Sequence, residues 1–151
     1  MLTAEKFLAA QAPVMDVVMA ELRAGRKRTH WMWFVFPQLK ALGRSATARH
    51  YGLDGLQDAR DWLAHPVLGP RLLDCSRAVL LHPHEPILRI MGSPDDLKLC
   101  SCMTLFEQAD PDQPLFGEVL RVFYGGQRDA RTQALLGGWA GDVISNGMDK
   151  A

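Results

Sequence analysis

The chain has 151 residues, a formal net charge of zero, 48% hydrophobic residues and 23% charged residues. These values are ordinary for one globular domain, and they argue against a disordered chain and against a protein that coats nucleic acid, which is usually strongly basic. No apolar run approaches the ~20 residues that cross a bilayer, and the first residues do not resemble a signal peptide. We therefore expect a cytoplasmic protein with no membrane segment.

Apolar residues recur every three or four positions along most of the chain, a spacing typical of amphipathic helices. Val14, Val18 and Leu22, for example, form one inward stripe between Pro13 and Gly25. No segment shows the strict alternation of a half-buried strand. In chain order, the predicted helices are 3–11, 13–24, 46–51, 55–65, 67–81, 94–106, 113–123 and 129–136.

Segment 30–36 is ambiguous, because a continuous apolar run is compatible with both a buried helix and a buried strand. Thr29 can cap a helix here, and Pro37 must end or kink it. The prediction is an all-α fold: a single compact domain over 1–136, with about six to eight short helices separated by proline and glycine. Three glycines open the remaining segment, 137–151, which we expect to be a loosely held tail.

Charge is unevenly distributed along the chain. There is no acidic residue between Glu21 and Asp54, although seven lysines and arginines lie there, whereas acidic residues dominate 93–118. A local basic region can hold an anionic ligand. Equally, the basic and acidic regions could complement each other inside the fold, and the sequence leaves both interpretations open.

The stretch RKRTHWMWF at 26–34 has the composition of a binding site. Its candidate residues are Arg26, Lys27, Arg28, His30, Trp31 and Trp33. The cations would hold an anionic group, and a tryptophan ring would stack on a flat ring. Alternatively, the aromatic residues belong to the core, and the cations form a solvated helix end.

A second candidate set lies on the predicted 94–106 helix. Asp95, Lys98, Ser101 and Thr104 are spaced by three, so they form one polar stripe that could add hydrogen bonds to a ligand. The alternative is an ordinary solvent-facing stripe. If the site is catalytic, His30 and Asp95 are the candidates for acid–base chemistry.

Neither a metal site nor a cofactor is predicted. His82, His84 and Glu85 lie between prolines in what reads as a surface loop, and no further ligand falls at a suitable spacing. Cys75, Cys100 and Cys102 are predicted to be free thiols, because a domain of this size folds without disulfides and cytoplasmic thiols stay reduced.

Several stretches together carry a resemblance to a known family. They are GRKRTHWMWFVFPQL at 25–39, LGRS at 42–45, LAHPVLGPRL at 63–72, DDLKLCSCMTLF at 95–106 and FYGGQRDARTQALL at 123–136. The chain resembles a family of short, all-helical bacterial proteins of unknown function, some of which have been named calpastatin. That name carries no weight, since calpastatin proper is poorly folded. Cys102 stands where the family pattern has serine, which argues against a catalytic role for this position.

Three functions are compatible with these features. The first is a small-molecule site, binding or catalytic, for an anionic ligand with a flat ring. The second is an interaction module in which the basic edge meets an acidic partner or a second copy of the chain. The third is nucleic-acid binding through the basic stretch 22–53, against which the zero net charge argues. A cavity lined jointly by 26–36 and 95–104 would favour the first.

Overall fold

The structure, a computed structural model, describes residues 1–137 and is all-helical there. The helices are α1 (Ala4–Gln11), α2 (Met15–Ala24), α3 (Met32–Val35), α4 (Ala46–His50), α5 (Leu56–Ala64), α6 (Leu68–Val79), α7 (Ile87–Met91), α8 (Asp95–Ala109), α9 (Pro114–Tyr124) and α10 (Ala130–Leu135), with a 3-10 turn at Lys40–Leu42. Instead of strands, these residues contain one isolated bridge, between Leu39 and Leu53. The predicted all-α, single-domain fold is confirmed.

The number of helices was underestimated. Ten α-helices lie within 1–137, where six to eight were predicted, because short helices such as α7 carry too few turns to show a period. Within segment 30–36, whose sequence is compatible with both a helix and a strand, Met32–Val35 form the single-turn helix α3. The buried side chains of α3, Met32 and Val35, and that of Phe36 directly after it are spaced by three and four, so they share one side of the turn.

Helix α8 is the central element of the fold. It contacts α5, α7, α9 and α10, and every residue from Ser101 to Phe106 is buried. Neighbours therefore cover both the apolar and the polar sides of this helix. The alternative of a solvent-facing polar stripe fails for Ser101 and Thr104, which are buried in it.

Side-chain caps begin some of the helices but not α3. The hydroxyl of Ser45 accepts a hydrogen bond from the backbone N–H of Ala48 and so caps α4, which begins at Ala46. The predicted Thr29 cap is wrong, because α3 begins only after Trp31 and the Thr29 hydroxyl bonds to Glu21 instead. The helix predicted over 94–106 begins at Asp95 and extends to Ala109.

All three cysteines are free thiols in the structure. The tail predicted to be loosely held lies outside the described residues, except for Gly137. None of the helices within 1–137 has the length and apolarity needed to span a membrane.

Candidate functional site

Glu21, in the last turns of α2, organises the loop that leads to α3. Its Oε1 accepts hydrogen bonds from the backbone N–H of Arg28 at 2.9 Å, the backbone N–H of Thr29 at 3.1 Å and the indole N–H of Trp31 at 2.9 Å. Its Oε2 accepts the Thr29 hydroxyl at 2.7 Å. One carboxylate therefore satisfies four donors and fixes the path of the chain from Arg28 to Trp31.

The electrostatic state of Glu21 follows from these bonds. Burial alone raises the pKa of this carboxyl, which is 9% exposed, but the donors on Arg28, Thr29 and Trp31 outweigh burial. The net effect lowers the pKa from 4.5 to about 2. Glu21 is thus a firmly ionised anchor for the loop.

Lys27 joins this loop to α8. Its Nζ lies 2.8 Å from Oδ2 of Asp95, donates to the backbone oxygen of Thr29 at 2.6 Å and lies 4.7 Å from the ring centre of Trp31. The Lys27 side chain is only 6% exposed. Its charge is neutralised within the fold, so the expectation that basic and acidic regions complement each other holds for this residue.

The loop and the start of α8 enclose a cleft of about 320 Å³, called here the aromatic cleft. Its lining residues are Lys27, Arg28, Thr29, His30, Met32, Trp33, Met91, Ser93, Pro94, Asp95 and Lys98. The two segments singled out in the sequence therefore face each other. Lys98 bridges them, with its Nζ 5.3 Å from the ring centre of Trp33 and 3.9 Å from Oδ1 of Asp95.

Besides Lys98, which lies 3.9 Å from Asp95, three lining side chains remain available to a ligand. Arg28 and His30 are exposed, and their side chains make no hydrogen bond or ion pair with other residues of 1–137. Trp33 is partly exposed, with Lys98 near its ring. A cation, an imidazole and an aromatic ring thus open onto one small volume.

Trp31, Thr104 and Arg26 do not open onto the cleft. Trp31 is 1% exposed, so its ring is closed to a ligand in this conformation. Thr104 is fully buried and joins α8 to the start of α10, since its hydroxyl donates to the Cys100 oxygen and accepts from the Asp129 N–H. Arg26 is exposed but absent from the lining.

A second cavity, of about 530 Å³, adjoins the aromatic cleft and is called here the α4–α10 cavity. Its lining residues are Gln38, Leu42, Arg44, Ser45, Ala48, Pro94, Leu97, Lys98, Ser101, Asp129 and Arg131. Pro94 and Lys98 line both cavities. Ser101 is the member of the predicted stripe that reaches this second space, although its hydroxyl already donates to the Leu97 oxygen at 3.2 Å.

A third cavity, of about 490 Å³, lies between α2 and α6. It shares no lining residue with the aromatic cleft or the α4–α10 cavity. Its arginines are largely engaged: Arg77 pairs with Asp74 at 3.1 Å, and Arg71 donates to the Gln11 side chain at 3.1 Å. Two carboxylates, Asp16 and Asp74, also line this cavity, whereas one carboxylate faces three cations in the aromatic cleft. The third cavity is therefore a weaker anion site than the aromatic cleft.

Sequence reasoning missed Glu21 and Arg131. The signal for Glu21 was present, because an indole N–H such as that of Trp31 needs an acceptor and Glu21 is the last acid before the basic stretch. No pattern in the sequence indicates Arg131. It lines the α4–α10 cavity because α10 packs beside α8 and the 3-10 turn.

Comparison with known proteins gives a family but no activity. Residues 2–136 match a family described as "Protein of unknown function (DUF1810)". A crystal structure of the conserved hypothetical protein Rv1873 from Mycobacterium tuberculosis shares 51% sequence identity over 89% of this chain and 96% of that chain, with a TM-score of 0.87. No curated protein matches the chain. The resemblance to a helical family of unknown function is confirmed.

Proposed function

Because the chain belongs to the DUF1810 family, whose function is unknown, we propose a function from the aromatic cleft itself: it binds a small molecule that carries an anionic group and a flat ring. Arg28 and Lys98 hold the anion, and the ring packs on Trp33. Lys27 and Trp31 build the wall behind them rather than touch the ligand.

The observation that carries this proposal is the joint lining of one cavity by the 27–33 loop and the first turns of α8. Three cations, Lys27, Arg28 and Lys98, face one carboxylate, that of Asp95. Since Asp95 lies 2.8 Å from Lys27 and 3.9 Å from Lys98, Arg28 has no counter-charge among the lining residues. An anion bound here supplies it.

The spacing within the cleft fits a single small molecule. The Lys98 ammonium lies 5.3 Å from the ring centre of Trp33. An anion held by Lys98 and a ring stacked on Trp33 therefore lie a few ångströms apart, as they do in a ligand whose ring and anionic group are joined by a short linker.

His30 and Asp95 remain the acid–base candidates if the bound molecule reacts. His30 is exposed at the cleft and has no partner within 1–137, so its ring nitrogens are accessible to a ligand. Asp95 acts chiefly by positioning Lys27 and Lys98, because both its oxygens face those ammonium groups.

A thermal-shift panel of nucleotides, sugar phosphates, dinucleotides and short oligonucleotides tests this function. A ligand at about 100 times its Kd adds about 2.7 kcal/mol of stability, which raises the Tm of a domain this size by roughly 5–10 °C. The shift should disappear in Arg28→Ala and in Trp33→Leu. It should persist in Arg26→Ala, which removes the same charge outside the cleft.

Folding of each variant is checked first by its helical circular dichroism and its Tm without ligand. A flat panel with folded protein contradicts the proposal and favours an interaction module. A response confined to oligonucleotides, with steep salt dependence, favours nucleic-acid binding.

A further inference from the structure

We infer that the ligand carries a second anionic group, separated from the first, and that this group lies in the α4–α10 cavity on the far side of Lys98. This inference rests on the proposed function of the aromatic cleft. It names the ligand class: an extended, ring-bearing small molecule with two anionic groups, such as a nucleoside bisphosphate or a dinucleotide.

The two cavities are arranged in series along α8. Asp95 lines the first, Lys98 lines both, and Ser101 lines the second. Residues three apart lie on one side of a helix, and six residues advance about 9 Å along its axis. A molecule that passes over Lys98 therefore enters both spaces without leaving the surface of α8.

The α4–α10 cavity has the charge to hold an anion. Lys98, Arg44 and Arg131 face a single carboxylate, that of Asp129. Asp129 is already occupied, because its Oδ2 accepts the backbone N–H of Thr132 at 2.9 Å and also the Thr132 hydroxyl, which caps α10. Neither arginine pairs with Asp129 within the described residues, and Lys98 also has Asp95 at 3.9 Å. Three cations and one carboxylate leave the lining of this cavity with a net positive charge.

The two arginines come from distant parts of the chain. Arg44 precedes α4, whereas Arg131 lies in the first turn of α10. Both are exposed, and neither side chain makes an ion pair or hydrogen bond within the described part of the chain. Two like charges in one cavity repel each other. A bound anion attracts both arginines and so offsets this repulsion.

An apolar surface lies beside these cations. Leu42, Ala48, Pro94 and Leu97 line the same cavity, and Leu97 is 65% exposed. An exposed leucine at the entrance to a charged cavity fits a ligand whose two anionic groups are connected by a less polar portion. A bare inorganic anion would leave this surface uncovered.

Calorimetric titration with matched probes tests the inference. Adenosine 5′-monophosphate carries a ring and one anionic group, and adenosine 3′,5′-bisphosphate adds only the second; the two guanosine analogues provide a second ring. The bisphosphates should bind about tenfold tighter, the equivalent of one added charged hydrogen bond. Arg44→Ala and Arg131→Ala should each reduce that gain while leaving the Kd of the monophosphates unchanged.

Two control variants separate this inference from the proposed function. Arg28→Ala should weaken mono- and bisphosphates alike. Arg49→Ala removes a cation from α4 that does not line the cavity, and it should change neither Kd. Equal affinity for both members of each pair, with binding still dependent on Arg28, overturns the second anion site but leaves the aromatic cleft standing. Failure of all four probes to bind, together with a flat thermal-shift panel, overturns both.

Discussion

A single carboxylate shapes the loop beside the aromatic cleft. Glu21 accepts hydrogen bonds from Arg28, Thr29 and Trp31. The backbone around Arg28 and His30 is therefore positioned by one side chain and not by a helix. Lys27 then fastens the same loop to Asp95. The cleft is thus preorganised by charge-assisted hydrogen bonds, which are about twice as strong as neutral ones.

The low pKa of Glu21 predicts how stability depends on pH. The folded-state pKa, about 2, lies below the reference value of 4.5, so the stabilisation is complete above about pH 4.5 and is lost as the pH falls through 2. A shift of this size corresponds to about 3 kcal/mol. In urea titrations from pH 5 to pH 2, the stability difference between wild type and Glu21→Gln should shrink by about that amount.

Glu5→Gln provides the matched control for this measurement. Glu5 is exposed and makes no hydrogen bond or ion pair within residues 1–137, so the substitution should leave the pH profile of the wild type almost unchanged. A difference between wild type and Glu21→Gln that stays constant from pH 5 to pH 2 would contradict the role assigned to Glu21.

At the scale of elements, the α5–α6 corner is built by close backbone approach. Nδ1 of His65 accepts the N–H groups of Val67 at 3.1 Å and Leu68 at 3.2 Å, which satisfies donors at the start of α6. Gly69, in the first turn of α6, lies directly against the backbone carbonyl of Leu63 in α5. A side chain at 69 has no space there.

Gly69→Ala should therefore destabilise the protein. Where a helix has space for the added methyl group, replacing glycine with alanine stabilises the fold by about 0.5–1 kcal/mol. At position 69 the alanine Cβ overlaps the Leu63 carbonyl, and such overpacking costs about 1–3 kcal/mol. We expect a lower Tm and a lower urea midpoint. At Gly55 an added Cβ meets nothing within 4 Å, so Gly55→Ala should change stability less. A Tm raised by Gly69→Ala would disprove the close approach.

At the scale of the whole molecule, packing around α8 controls the chemistry of the thiols. Cys75 and Cys102 are buried and Cys100 is half-buried. Burial raises the pKa of Cys75 to about 12 and that of Cys100 to about 11, and it raises the pKa of Cys102 as well. Since the thiolate is the reactive form, all three should be poor nucleophiles in the folded protein.

Thiol titration with a disulfide reagent at pH 8 tests this arrangement. The native protein should show no fast-reacting thiol and one slow one, which Cys100→Ser removes. Denaturation without reductant should reveal all three. Fewer than three thiols in denaturant would indicate a disulfide, and two or more fast thiols in the native state would show that the core around α8 is open.

Features that depend on local spacing can be predicted from the sequence. Apolar residues every three or four positions, together with proline and glycine breaks, predicted the all-α class, because a helix repeats its faces within a few residues. The same logic placed Asp95, Lys98 and Ser101 along one side of α8, where they now line two adjoining cavities. Composition alone identified the 26–34 stretch, part of which faces them.

Which of these side chains reach solvent depends on contacts between distant parts of the fold. Trp31 and Trp33 are two residues apart and equally aromatic, yet the acceptor on Glu21 holds Trp31 in the core, while Trp33 stays partly exposed beside Lys98. Lys27 is not available to a ligand because it pairs with Asp95. Arg131 lines the α4–α10 cavity because α10 packs there. These outcomes depend on contacts between residues far apart in the chain, which local periodicity and composition do not encode.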